Sequence, residues 1–257
     1  MSKLDSVFNN KPIFMPYFPL GYPALDVSVD VIEALAKNGA DVIEVGLSFS
    51  DPLADGPVIQ RATQVALDNG ITIPKALAAL TELRKRDVDI PLILMGYYNP
   101  LLAYGLTKFV ADAAAAGADG FIIPDLPPEE ADEFLAVVGS LPLIPMLAPT
   151  SSEDRMEMIG RNARGFIYLV SVTGITGERR EMAAGLADLV AQVRSHTSAP
   201  VCVGFGIGTP EQAKAVGAIA DGVIVGSACV RTIGESQTPV ETARSFAQSF
   251  AEILRRS

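Results

Sequence analysis

Glu44 is the first residue that chemistry singles out in this chain. It lies in Val42-Ile-Glu-Val-Gly-Leu47, an otherwise apolar run where an unpaired charge is expensive to bury. Two outcomes answer that cost. The carboxyl stays protonated with a raised pKa and serves as a proton donor near neutral pH, or it pairs with a lysine in the interior. Beyond it, Ser48-Phe-Ser-Asp-Pro-Leu-Ala-Asp-Gly-Pro57 forms a long loop with two further carboxylates, Asp51 and Asp55. Asp55 is far enough along for the loop to fold back over the strand end, and two carboxylates facing one substrate divide acid and electrostatic work. The plain reading of these aspartates is helix capping, which suits Asp51 best. His196 is the single histidine, so a histidine triad or multi-histidine metal site would have to rest on it alone. It precedes the seventh predicted strand, at the end away from such a site, and reads as structural. Carboxylates are the expected proton carriers, and no metal is expected.

Glycines supply a second group of signals. Val170-Ser-Val-Thr-Gly-Ile-Thr-Gly177 reads as a loop able to move, whose backbone amides can approach a ligand closely. Gly204-Phe-Gly206 and Gly226-Ser227 each end an apolar run next to a helix start, the usual arrangement for cradling a phosphate in a β/α barrel. A dinucleotide fingerprint is excluded. In Gly204-Phe-Gly-Ile-Gly208 the third glycine comes one residue early, and the acid expected about twenty residues on falls among Val223-Ile-Val225.

Elements that position these residues follow from the apolar runs. Strands are predicted at Ile13–Leu20, Val42–Leu47, Leu92–Tyr97, Gly120–Pro124, Leu143–Leu147, Gly165–Ser171, Val201–Gly206 and Gly222–Val225. They lack polar alternation, as parallel strands buried on both faces do. Helical patterns lie between them, at Asp26–Asn38, Ile59–Asn69, Pro74–Arg86, Thr107–Ala116, Glu129–Gly139, Ser152–Asn162, Met182–Arg194 and Pro210–Val216, with a closing helix at Pro239–Arg255. The expected fold is an α/β (β/α)8 TIM barrel forming one domain over residues 1–257, in line with about 250 residues for that architecture. An Ala-Asp pair recurs before three strands, at Asp41, Asp119 and Asp221, an internal echo that ordinary loop chemistry would also produce. In Thr209-Pro-Glu-Gln212 a capping box starts a helix.

Composition narrows the function classes. Thirty acidic against twenty basic residues leave a net charge of −10, which argues against nucleic acid or an anionic membrane surface as partner. No apolar run reaches the roughly 18 residues of a membrane span, and the polar N-terminus is no secretory signal, so the chain reads as cytoplasmic. Cys202 and Cys229 lie in apolar stretches and read as small buried hydrophobes.

At Glu44-Val-Gly-Leu-Ser-Phe-Ser-Asp-Pro-Leu-Ala-Asp-Gly-Pro57-Val-Ile-Gln60 the sequence closely resembles the signature segment of the tryptophan synthase α subunit family. Gly174-Ile-Thr-Gly177, Gly204-Phe-Gly-Ile207, Gly226-Ser-Ala228 and Pro16-Tyr-Phe-Pro-Leu-Gly-Tyr-Pro23 extend the likeness to essentially the whole chain. The resemblance implies retro-aldol cleavage of indole-3-glycerol phosphate to indole and glyceraldehyde 3-phosphate. It also implies no cofactor in this chain and a β subunit partner, in an α2β2 heterotetramer, whose pyridoxal phosphate joins indole to serine. By the same likeness Glu44 is the general acid, Asp55 the acceptor of the indole N–H, and Thr176 the residue holding Asp55 when the loops close. Gly177, Gly206, Gly226 and Ser227 bind phosphate, and Tyr17, Tyr168 and Phe205 surround the indole. The partner surface is expected to include Phe49–Val58. Two residues depart from the pattern: Ser48 stands where many members have proline, and Val172 where some carry arginine. The alternatives are another phosphosugar barrel such as an isomerase or epimerase, a degenerate barrel that only activates its partner, and a free-standing indole-producing lyase.

Overall fold

A computed structural model describes residues 2–10, 12–170, 179–204 and 206–255. Eight parallel strands alternate with helices around a curled sheet. The strands are β1 (Ile13–Pro19), β2 (Ile43–Gly46), β3 (Leu92–Met95), β4 (Gly120–Ile122), β5 (Met146–Leu147), β6 (Ile167–Val170), β7 (Val201–Gly204) and β8 (Gly222–Val225). The helices are α1 (Lys3–Val7), α2 (Leu25–Lys37), α3 (Pro57–Asp68), α4 (Ile73–Lys85), α5 (Tyr98–Tyr104), α6 (Leu106–Ala116), α7 (Asp132–Val137), α8 (Glu153–Asn162), α9 (Arg179–Ser195), α10 (Pro210–Gly217), α11 (Ser227–Gly234) and α12 (Pro239–Arg255). Strand order runs β4-β3-β2-β1-β8-β7-β6-β5, and a single parallel bridge between Phe121 and Leu143 joins the two ends. This is the expected (β/α)8 barrel.

Alternation along the strands builds two apolar layers. Val42 points into the barrel with Ile13, Met15, Ile93, Ile122, Tyr168, Cys202 and Ile224. Ile43, Val45 and Leu47 point out, into the layer shared with the helices. Leu4 and Phe8 plug the N-terminal end of the barrel, with the Phe8 ring 6.0 Å from that of Phe166. α12 packs on α2 and covers β1 from outside, its Phe250 stacked on Phe14 at 5.2 Å. Both cysteines are free and buried, as small core residues.

The Ala-Asp echo has a physical meaning. Asp41 donates its N–H to Phe14 O at 2.9 Å, and its Oδ2 accepts from Phe14 N at 2.8 Å. Asp119 does the same to Leu92, and Asp221 to Val201. Each aspartate thus clasps one residue at the start of the neighbouring strand by both of that residue's backbone groups. Each also faces an arginine, Arg255, Arg84 and Arg194 respectively. Asp119→Ala is expected to strand the Leu92 N–H and remove the ion pair with Arg84, which stays bound to the Gly117, Val88 and Ile90 carbonyls. A stranded amide of this kind costs about 1–3 kcal/mol, and for a chain of this size each kcal/mol lowers the melting temperature by roughly 2–4 °C. Calorimetric unfolding should therefore show a drop of several degrees, smaller in Asp119→Asn, which keeps an acceptor oxygen.

Three sequence expectations need correction. The fifth strand is two residues long rather than Leu143–Leu147, because Pro142 and Pro145 have no N–H to give the ladder. The segment predicted as Glu129–Gly139 is a 3-10 turn, Pro128–Glu130, followed by the shorter α7. Residues predicted to end the third strand, Gly96 and Tyr97, lie beyond its last pairing and lead directly into α5. The capping box at Thr209 is present with both of its hydrogen bonds.

Candidate active site

Glu44 is carried on β2 with its side chain directed into the barrel and is 1% exposed. Tyr17 on β1 is its register partner, and Ile93 on β3 flanks it on the other side. No lysine or arginine pairs with Glu44 among the described residues, which removes the internal-lysine alternative. Its Oε1 is buried without a hydrogen-bond partner. Burial alone pushes the carboxyl up to about 8, so at neutral pH the protonated form dominates.

Two tyrosines complete the inner wall. Tyr17 and Tyr168 are 6% and 5% exposed, and each has its phenol held well above its ordinary range by burial, with smaller contributions from Asp55 and Glu44. The two rings therefore share one interior with both carboxyls. Glycines make room for them. A Cβ on Gly46 would lie 2.3 Å from the Tyr17 hydroxyl, and one on Gly204 would lie 2.4 Å from that of Tyr168. Larger residues at either position would drive a ring out of its place.

Asp55 sits on the loop between β2 and α3, half-buried, with its carboxyl raised by burial and lowered by a hydrogen bond from Tyr97. Tyr97 is the residue that sequence reasoning missed. Its Oη donates to Asp55 Oδ2 at 3.0 Å and accepts from the Ala54 N–H at 2.9 Å, while its ring packs 5.6 Å from that of Phe49. Its place just beyond the C-terminal end of β3, where barrel sites are built, was the available signal. Tyr97→Phe should free the Ala54 amide and Asp55 together. Loss of one neutral hydrogen bond, at about 1 kcal/mol, and one to a carboxylate should speed exchange of the Ala54 amide at least ~10-fold, measured by hydrogen-exchange NMR. Asp51, by contrast, caps no helix: its carboxylate accepts from its neighbour Ser50, and the α3 N-cap is Gly56 without a side-chain bond.

Across the mouth, Gly226 is the N-cap of α11, and the first helical bond there runs from Val230 N to Gly226 O. The amides of Ser227, Ala228 and Cys229 accordingly have no acceptor ahead of them in the helix, which makes its start a donor site for an anion. A Cβ on Gly226 would lie 3.8 Å from Tyr17 Cβ, so the helix start and the carboxyl pocket adjoin. Gly206 takes a left-handed φ of +75°, natural for glycine. Thr176, Gly177 and Phe205, with Val172, lie outside the described residues. A cleft of about 500 Å³ opens at the ends of β4, β5 and β6, between Ala54, Pro124, Met146 and Val170. Among the described residues no cluster of potential metal ligands occurs. His196 is half-buried between α9 and β7, at the opposite end of the barrel.

Residues 4–255 match the family model described as tryptophan synthase alpha chain. The chain belongs to that family. The tryptophan synthase alpha chain of Chloroflexus aurantiacus is 50% identical over 242 residues, which cover 93% of this chain and 91% of that one. That of Geobacter sulfurreducens is 46% identical, covering 100% and 99%. Among solved structures, the tryptophan synthase subunit alpha of Legionella pneumophila superposes with a TM-score of 0.91 at 38% identity, with both chains fully covered. A chain of Mycobacterium tuberculosis tryptophan synthase in its aminoacrylate-bound form gives 0.88 at 36% identity, covering 99% of this chain and all of that one. As a tryptophan synthase alpha chain the protein is an enzyme of tryptophan biosynthesis, a carbon–carbon lyase.

Proposed function

We propose that the chain cleaves indole-3-glycerol phosphate to indole and glyceraldehyde 3-phosphate with Glu44 as the proton donor. The buried carboxyl of Glu44, neutral at pH 7 and with no hydrogen-bond partner for its Oε1, is the observation that carries this reading. Its proton goes to the indole carbon bearing the glycerol chain, which weakens the bond to that chain. As the bond breaks, the adjacent hydroxyl gives its proton to the new Glu44 carboxylate and becomes the aldehyde. The acid is thereby regenerated. Positive charge builds on the indole ring during the step, and Asp55, accepting the ring N–H, stabilises it. Tyr97 occupies Oδ2 of Asp55 and leaves Oδ1 for the substrate.

Gly206, Gly226, Ser227 and Gly177 hold the phosphate by backbone amides, and Tyr17, Tyr168 and Phe205 enclose the ring. Thr176 secures Asp55 when the loops close. Backbone capture suits a chain of net charge −10, which offers an anion no broad basic field. No cofactor acts in this chain. Pyridoxal phosphate belongs to a β subunit, with which the chain forms an α2β2 heterotetramer in the cytoplasm. Among the described residues no helix is long and apolar enough to cross a membrane. The β subunit docks over the loop Phe49–Val58, where Leu53 is 90% exposed two residues from Asp55. Partner binding then favours the loop conformation that presents Asp55.

The test is indole release from indole-3-glycerol phosphate, with and without the β subunit. Release that the partner accelerates is expected. No release under either condition overturns the lyase reading, and full activity without the partner overturns the coupling.

A further inference from the structure

Among the described residues, two buried side-chain oxygens lack a hydrogen-bond partner: Oε1 of Glu44 and Oγ of Ser48. They belong to one face. Along β2 and its extension, Ile43, Val45 and Leu47 turn outward to the helices, while Val42 turns inward. Gly46 lies under the Tyr17 hydroxyl inside the barrel, so the inward set is Val42, Glu44, Gly46 and, one step nearer the mouth, Ser48. The backbone around Ser48 is fixed on both sides. Leu47 N donates to Met95 O at 2.8 Å, and the Phe49 ring rests against Tyr97. Ser48 is therefore held with its hydroxyl shut off from water and unsatisfied, an arrangement that burial penalises unless a ligand supplies the missing bond.

The proposed substrate carries two hydroxyls on its glycerol chain, one on the carbon next to the ring and one on the next carbon toward the phosphate. Two orphan oxygens on the inward face of one strand, with only the side-chain-less Gly46 between them, face a ligand that carries two hydroxyls. We propose that Ser48 binds the substrate, its hydroxyl hydrogen-bonding the glycerol hydroxyl that cleavage leaves untouched, while Glu44 serves the hydroxyl that becomes the aldehyde. This rests on the lyase reading for the identity of the ligand. It assigns Ser48 a role in choosing a polyol phosphate over a plain alkyl phosphate with the same ends.

The test compares ligands that differ only in those hydroxyls. Binding of indole-3-glycerol phosphate and of 3-(indol-3-yl)propyl phosphate is measured by calorimetry on the chain carrying Glu44→Gln, to prevent turnover, with Ser48, Ser48→Ala or Ser48→Thr. Loss of one neutral hydrogen bond should weaken the glycerol compound about 3- to 10-fold in Ser48→Ala and leave the propyl compound unchanged, with Ser48→Thr retaining most of the affinity. Equal weakening of both ligands means the hydroxyl shapes the loop rather than touching the substrate, and overturns the proposal. So does an unchanged affinity for both. Glycerol 3-phosphate against propyl phosphate repeats the comparison without the indole ring. Absence of binding by both indole compounds would overturn the lyase reading, and the second pair would still decide Ser48.

Discussion

Glu44→Gln is expected to lower the rate of indole release by at least the ~10²–10⁴-fold that acid–base catalysis supplies. The substitution keeps the size of the side chain and removes its proton, so affinity for glycerol 3-phosphate should stay near the wild-type value. Near-normal turnover would reject Glu44 as the acid. The pH dependence follows with a definite sign. Glu44 must be protonated to act, so turnover should fall as pH rises through about 8. Asp55 acts as a carboxylate, and burial raises its pKa, so activity should also fall on the acid side as that group takes up a proton. The result is a bell whose alkaline limb disappears in the residual activity of Glu44→Gln. Stability shows the reverse face of the same burial. Between the ordinary carboxyl value of 4.5 and about 8, the folded state holds a proton that the unfolded state has released. The Glu44 contribution to stability therefore declines with rising pH over that window, by up to about 1.4 kcal/mol per pH unit. Glu44→Gln lacks that decline, so chemical unfolding should show the variant gaining on the wild type as pH increases.

The second large effect is expected for Asp55→Asn. Asparagine can still accept from Tyr97, so the loop pin survives, but the negative charge facing the indole N–H is gone. Removing one preorganised electrostatic partner of a transition state costs roughly 10²–10³-fold in turnover. Steady-state kinetics should show that fall, with inhibition by glycerol 3-phosphate changed little. A loss of phosphate affinity at unchanged turnover would reverse the assignment and place Asp55 in binding rather than in chemistry.

Much of this was legible in the sequence, for reasons that differ between elements. Glu44 stood out because a carboxyl in a run of valine and isoleucine has no cheap explanation. Seven of the eight strands announced themselves through apolar runs, and the fifth misled because Pro142 and Pro145 withhold two of the N–H groups its ladder would need. α5 was invisible because Tyr98-Asn-Pro-Leu-Leu-Ala-Tyr104 carries a proline and no cap, and packing rather than propensity makes it helical. Tyr97 was lost with it. As the supposed last residue of a strand it looked like core, whereas its hydroxyl organises the Asp55 loop. Ser48 read as a mere departure from a pattern, since no sequence signal tells that a serine oxygen is sealed from water.

The join between β4 and β5 has a consequence for how the cylinder gives way. Elsewhere neighbouring strands are laced by ladders, but here Phe121 alone bridges to Leu143, through bonds to Pro142 O and from Ile144 N. Met146 and Leu147, just past that join, line the cleft. A thinly stitched closure yields before a continuous ladder does. The aperture beside Asp55 can therefore widen by unlacing one slender seam, while the strands on the far side, bound through β1 and β8, keep their shape.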